Sequence, residues 1–186
     1  MRLKLSIFIA KFSALLSKKL FRRSGETIAG RVLLALYPKS ISELAKGKKI
    51  ICVSGTNGKT STTKALVSII SKLGSVATSP SGSNLERGVA AALMTKSEYA
   101  VLEVDELHLS RVIDEAKPKV VLLLNLTRDQ LHRMHEVKRV ADRWAKSAST
   151  APETLFVGDI DDPFVALALN SAAQSQRISF GGNKHK

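Results

Sequence analysis

Residues 55–60 read GTNGKT, between the apolar run of residues 50–53 and the hydroxyl row Ser61, Thr62 and Thr63. Two glycines bracketing Thr56 and Asn57, followed at once by Lys59 and Thr60, suit the binding of an anion. Gly55 and Gly58 allow positive φ and leave room for backbone N–H groups to approach phosphate oxygens. A helix that starts near Lys59 adds the partial positive charge of its N-terminus. In such a loop Lys59 belongs on the β- and γ-phosphates of a nucleotide, and Thr60 on Mg2+. The alternative is a plain glycine turn with a solvated lysine. Strand, G-x-x-G-K-T and helix in one register argue against that.

A second acid-bearing stretch, "LEVDE" (102–106), places Glu103 at the carboxyl end of an expected strand. Open α/β sheets bind ligands at that edge. A carboxylate there can hold Mg2+ together with Thr60, with Asp105 and Glu106 assisting through water. A solvated strand end is the competing reading.

Strands must carry these groups, and the chain has them. "KIICVS" (49–54), "YAVLEV" (99–104), "KVVLLLNL" (119–126), "TLFVG" (154–158) and "RISF" (177–180) are short apolar runs suited to buried parallel strands. Helical patterns separate them at 60–73, 86–94, 106–116, 136–149 and 162–170. Alternation of this kind predicts an α/β fold, a P-loop-type parallel sheet with helices on both faces. A basic amphipathic helix precedes it. We therefore divide the chain into a basic helical segment, 1–47, and an ATP-binding domain, 48–186.

Composition narrows the function classes. The formal charge is +13, and twelve of the lysines and arginines fall before residue 50 against only Glu26 and Glu43. That balance calls for an anionic partner: nucleic acid, a membrane face or a phosphorylated substrate. Aromatic residues are only 5%, and no aromatic-basic platform or helix-turn-helix pattern argues for nucleic acid. Cys52 is the single cysteine, which excludes an internal disulfide and any multi-cysteine metal site and agrees with a reducing cytosol. His132 and His135, three apart and without a third ligand, read as surface residues, so no zinc is expected. The N-terminal stretch is broken by Lys11 too early for a signal peptide, and nothing approaches a bilayer-spanning length. Leu5, Phe8, Ile9, Phe12, Leu15, Leu16 and Leu20 recur there at helical spacing among lysines. Such a helix lies on an anionic membrane or packs on its own domain or a partner, its lysines solvated.

The glycine loop departs from the general G-x-x-x-x-G-K-[ST] pattern, since Val53 stands where the first glycine belongs. Its shorter GTNGKT form resembles the Mur ligase superfamily. "SGSNLERG" (81–88), "LEVDE", "NLTRDQLHRMHE" (125–136) and "DIDDPFV" (159–165) follow in the order of that superfamily's MurT-like branch. Asp129-Gln130 replaces the Asp-His of ordinary Mur ligases. The resemblance implies that Glu103 is the metal-binding glutamate and that Asn84 lies near substrate or the γ-phosphate. It implies that Asn125, Arg128, Asp129 and Gln130 form a nucleotide- and metal-facing turn, and that Asp161 and Asp162 lie near the adenosine. A polar turn explains Asn84 and the 125–130 loop equally well, and a helix N-cap before Pro163 explains Asp162. His132, Met134, His135 and Asp159 depart from the branch's pattern.

The implied activity is that of an ATP-dependent carbon–nitrogen ligase using ATP and Mg2+. It would activate the D-glutamate carboxylate of the lipid II stem peptide as an acyl phosphate, for amidation in peptidoglycan synthesis. The implied setting is the cytoplasm at the inner face of the membrane, with a GatD-like glutamine amidotransferase as partner. Relatives of this branch continue into a zinc ribbon and a C-terminal domain, so a truncated central domain is expected here and complete amidation by these residues alone is not. A non-catalytic nucleotide-binding module, or another Mur- or folylpolyglutamate-type ligase, is the alternative.

Overall fold

The computed structural model describes residues 2–21, 25–79, 83–127 and 134–182. Arg128, Asp129, Gln130 and His132 lie outside them, and so do the side chains of Met134 and His135. Three helices lead in: α1 (Leu3–Phe21), α2 (Gly25–Leu36) and α3 (Ser40–Ala45). Then β1 (Lys49–Ser54), α4 (Lys59–Ile70), β2 (Val76–Ala77), α5 (Glu86–Leu93), β3 (Tyr99–Glu103) and α6 (Leu109–Ala116) follow. The chain goes on through β4 (Val120–Leu123), α7 (Met134–Thr150), β5 (Leu155–Asp159), α8 (Pro163–Ser171) and β6 (Arg177–Phe180).

Among the described residues six strands form one parallel sheet, in the order β2-β3-β1-β4-β5-β6. The five expected strands form, and β2 is a sixth. Two residues long and paired to Tyr99 and Ala100, it carries too little apolar sequence to announce itself. Cys52, Val53 and Ser54 are each fully buried. Successive strand residues point to opposite faces, so both faces of β1 are covered, as a parallel sheet requires. The core also takes in Leu33 of α2 and Ile41 and Ala45 of α3.

α2 sits hard against the start of α5: a Cβ built on Gly30 would fall 1.7 Å from the Arg87 carbonyl oxygen. No residue but glycine permits that approach. α6 begins later than its periodicity suggests, at Leu109, because the preceding turn is committed elsewhere. The Asp105 carboxylate accepts from the Leu107 amide at 3.0 Å, and the Glu106 carbonyl accepts from the Trp144 indole at 3.0 Å. Trp144, fully buried with Val137, Val140 and Ala141 at helical spacing, docks α7 onto that turn.

α1 packs on the domain by its small-residue side. Ser6 and Ala10 are fully buried and Ala14 is half-buried, the small side against α2. The large stripe turns outward, with Phe8 67%, Phe12 59% and Leu15 67% exposed.

Candidate functional site

β1 ends at Ser54, whose hydroxyl donates to the Val104 carbonyl at 2.8 Å and ties the ends of β1 and β3 together. The chain then turns through Gly55, at φ +145°, and Gly58, at φ +85°, before α4 opens at Lys59. A Cβ on Gly55 would meet the Asn125 backbone at 2.9 Å. The loop therefore lies directly on the chain leaving β4. Four hydrogen bonds hold it there. Thr56 N–H donates to the Asn125 carbonyl (2.8 Å) and Asn57 N–H to Asn125 Oδ1 (2.9 Å). Asn125 Nδ2 donates back to the Asn57 carbonyl (3.1 Å), and Thr127 N–H to Thr56 Oγ1 (3.1 Å). Such bracing fixes the loop before any ligand arrives.

An open cleft of about 340 Å³ is lined by Thr56, Asn57, Gly58, Lys59, Thr60, Ser61, Asn84 and Glu103. The first-turn amides of α4 have no carbonyl one turn earlier to bond, so this wall presents donors and the positive end of the helix. Opposite stands Glu103, only 6% exposed, one oxygen accepting from Thr60 Oγ1 at 2.9 Å. A carboxylate that far from water needs a cation or strong donors. Asn84 arrives from the adjacent loop, positioned by its own carbonyl, which accepts from the Asp105 amide at 2.7 Å. Gly88 seats that loop: a Cβ there would lie 2.1 Å from the Ser83 carbonyl oxygen. A second pocket of about 190 Å³ shares Thr60 and Glu103 and adds Thr63, Lys64, Val67, Thr78 and Ser79.

Lys59 folds back along the loop. Its ammonium donates to the Gly55 carbonyl, to the Thr56 carbonyl at 3.2 Å, and to Glu106 Oε2 at 3.4 Å. Both members of the ion pair are well sheltered, at 12% and 16% exposure. Glu106 is thus a counter-ion to Lys59. Asp105 spends an oxygen on its own turn.

The structure brings together Gly55, Thr56, Asn57, Gly58, Lys59, Thr60, Ser61, Asn84 and Glu103. Two other candidates serve as ties. Asn125 spends its amide on Asn57. Asp162, 8% exposed, caps α8 through Phe164 N–H (2.9 Å) and Val165 N–H (3.1 Å), and its other oxygen accepts from Leu126 N–H at 2.7 Å. Asp162 therefore anchors the chain leaving β4 to the start of α8, the capping role open to it in sequence. Ser54 and Trp144 were not among the sequence candidates. Nothing local marks them, because their partners lie 50 and 38 residues away.

A doubly covered parallel sheet, with a glycine loop, lysine and threonine at the end of its central strand and a buried glutamate facing them, defines an α/β protein with a polar cleft at the carboxyl ends of its strands. The Mur ligase middle domain model matches residues 53–186, and the chain belongs to the Mur ligase family. It is 39% identical over 120 residues to the MurT subunit of the glutamine-hydrolysing lipid II isoglutaminyl synthase of Streptococcus pneumoniae, covering 61% of this chain and 27% of that one. With the corresponding subunit of Staphylococcus aureus (strain COL) it shares 30% over 173 residues, 89% of this chain and 39% of that one. Among solved structures, MurF from Acinetobacter baumannii superposes with a TM-score of 0.65 at 23% identity, over 86% of this chain and 35% of that one, a likeness of fold. The chain thus spans well under half the length of these relatives.

Proposed function

We propose that this chain is the nucleotide-binding part of a MurT-like amide ligase, which activates the D-glutamate carboxylate of the lipid II stem peptide for amidation to D-isoglutamine. The single observation that carries the reading is the pairing of Thr60 with the buried Glu103 across a donor-lined cleft. Its parts suit Mg-ATP: amide donors and Lys59 for phosphate oxygens, and a hydroxyl beside a sheltered carboxylate for a hard, oxygen-seeking cation. ATP supplies the γ-phosphoryl group that makes the carboxylate oxygen a leaving group, which ammonia then displaces.

The protein's own contribution is position and charge. Gly55 and Gly58 bring the backbone close to the phosphates. Lys59 exchanges its loop carbonyls and Glu106 for phosphate oxygens. Thr60 and Glu103 would together hold the cation, and Asn84, which lines the same cleft, would lie near the substrate or the γ-phosphate. Arg128, Asp129 and Gln130, outside the described residues, enter this reading as nucleotide and metal candidates by resemblance alone, and a GatD-like amidotransferase would deliver ammonia. The work takes place in the cytoplasm on a lipid-linked substrate.

Glu103→Ala is expected to leave a folded protein whose Mg-ATP affinity falls by about tenfold or more, a charge-assisted metal contact being worth roughly 1.5–3 kcal/mol. Calorimetric titration with ATP across a magnesium series measures it. Superimposable metal dependences for mutant and parent would remove Glu103 from the site.

A further inference from the structure

The outward side of α1 is the largest feature the nucleotide site leaves unused. Leu5, Phe8, Ile9, Phe12, Leu15 and Leu16 are 51%, 67%, 36%, 59%, 67% and 50% exposed. At 3.6 residues per turn they form one strip about a third of the helix circumference wide, running most of its ~28 Å length. The helix reaches its own domain through the opposite, small-residue side, where Ser6 and Ala10 are fully buried. The strip is therefore not a core face that happens to be partly open. It is an apolar surface built to face away from the domain.

Charge says what covers it. No aspartate or glutamate occurs before Glu26, while Arg2, Lys4, Lys11, Lys18 and Lys19 do. By helical spacing Lys4 and Lys11 border the strip on one side, Arg2 stands just before the helix begins, and all three are exposed. Long cationic side chains beside an apolar stripe snorkel, their stems on hydrocarbon and their heads among phosphates. Protein–protein interfaces deplete lysine at their cores. Among the described residues no helix is long and apolar enough to cross a membrane, so a helix of this composition lies in the interface plane.

We infer that the outward strip of α1 is a docking surface for an anionic lipid bilayer, with Phe8, Phe12 and Leu15 set below the headgroups and Lys4 and Lys11 against their phosphates. The inference stands apart from the nucleotide reading, since none of these residues lines the cleft. It gives the chain a second binding function, attachment to a surface.

Co-sedimentation of the full chain with vesicles tests it, using phosphatidylcholine alone and phosphatidylcholine carrying about one-third phosphatidylglycerol. The parent is expected to bind the anionic vesicles and to leave the neutral ones largely in the supernatant. The triple variant Phe8→Ser, Phe12→Ser, Leu15→Ser keeps every charge and is expected to lose at least about tenfold in anionic-vesicle binding. Lys4→Gln with Lys11→Gln should cost about thirtyfold, each basic residue near the surface contributing about fivefold. Ile69→Ser with Leu73→Ser, exposed apolar positions elsewhere, should bind as the parent does. Circular dichroism melting verifies the fold of each variant, and single Phe8→Ser and Phe12→Ser proteins replace the triple if it melts early. Three results overturn the inference. The parent fails to bind anionic vesicles; or the triple variant binds them undiminished, which assigns binding to the general +13 charge; or the strip proves necessary for self-association in sedimentation velocity while vesicle binding ignores it.

Discussion

Lys59→Ala is expected to abolish measurable Mg-ATP binding, a loss of at least about a hundredfold by isothermal titration calorimetry. Two charge-assisted hydrogen bonds to phosphate oxygens, at roughly 1.5–3 kcal/mol each, account for that magnitude. The Lys59 ammonium rests on the Gly55 and Thr56 carbonyls and beside Glu106, partners it can trade for oxygens of higher charge. Glu106 is sheltered at 16% exposure, so removing the ammonium leaves a carboxylate without its counter-ion and the melting temperature should fall modestly. Affinity and melting temperature are therefore read together. A folded Lys59→Ala protein with parental affinity would falsify the phosphate-loop assignment, and with it the proposed ligase function.

Gly30→Ala is expected to be the most destabilising single methyl addition in the N-terminal helices. An alanine Cβ at this position would stand 1.7 Å from the Arg87 carbonyl oxygen and 2.7 Å from its carbon. Both are backbone atoms in the first turn of α5, with no flexible tip to swing aside, so one helix must slide. Overpacking of this sort costs typically 1–3 kcal/mol and here belongs at the top of that range or above it. About 3 kcal/mol corresponds to a fall of roughly 10 °C in Tm for a chain of this size, read by circular dichroism. The displacement should reach the site as well. α5 begins two residues after Asn84, so the same variant is expected to weaken Mg-ATP binding by a smaller factor than Lys59→Ala does. An unchanged melting temperature would show that α2 does not bear on α5 as described.

Much of this architecture is readable from local pattern. β1 spans the residues its apolar run marks, and the glycine loop, Glu103 and Asn84 converge because each lies at the carboxyl end of a parallel strand or in the loop beside it. What local pattern cannot supply is partnership at a distance. Asn125 and Asp162 read as polar residues suited to a ligand, yet their side chains close hydrogen bonds with backbone 68 and 36 residues away. The Glu106 carboxylate reads as a metal assistant and instead faces Lys59, 47 residues earlier. β2 is too short to have a periodicity. The stripe on α1 is plain in the sequence, but its direction is not. The inward side is set by the fully buried Ser6 and Ala10, with Leu3 and Ile7 packing beside them, and small residues carry no hydrophobic signal of their own.

The lone cysteine gives this molecule a built-in clock. Cys52 lies on β1 two residues before the strand ends, fully buried, and burial pushes its thiol up to about 12. The folded chain keeps that proton through the range, from about 9 upward, in which an unfolded thiol releases it. This contribution to stability is intact below pH 9 and drains away as the pH climbs towards 12. At neutral pH the sulfur is inert until the sheet itself parts. The rate at which an alkylating reagent consumes it therefore times the breathing of the central strand, free of any competing thiol. A ligand gripping the loop at the end of that strand is expected to slow the clock, and mass spectrometry of the intact chain can read each tick.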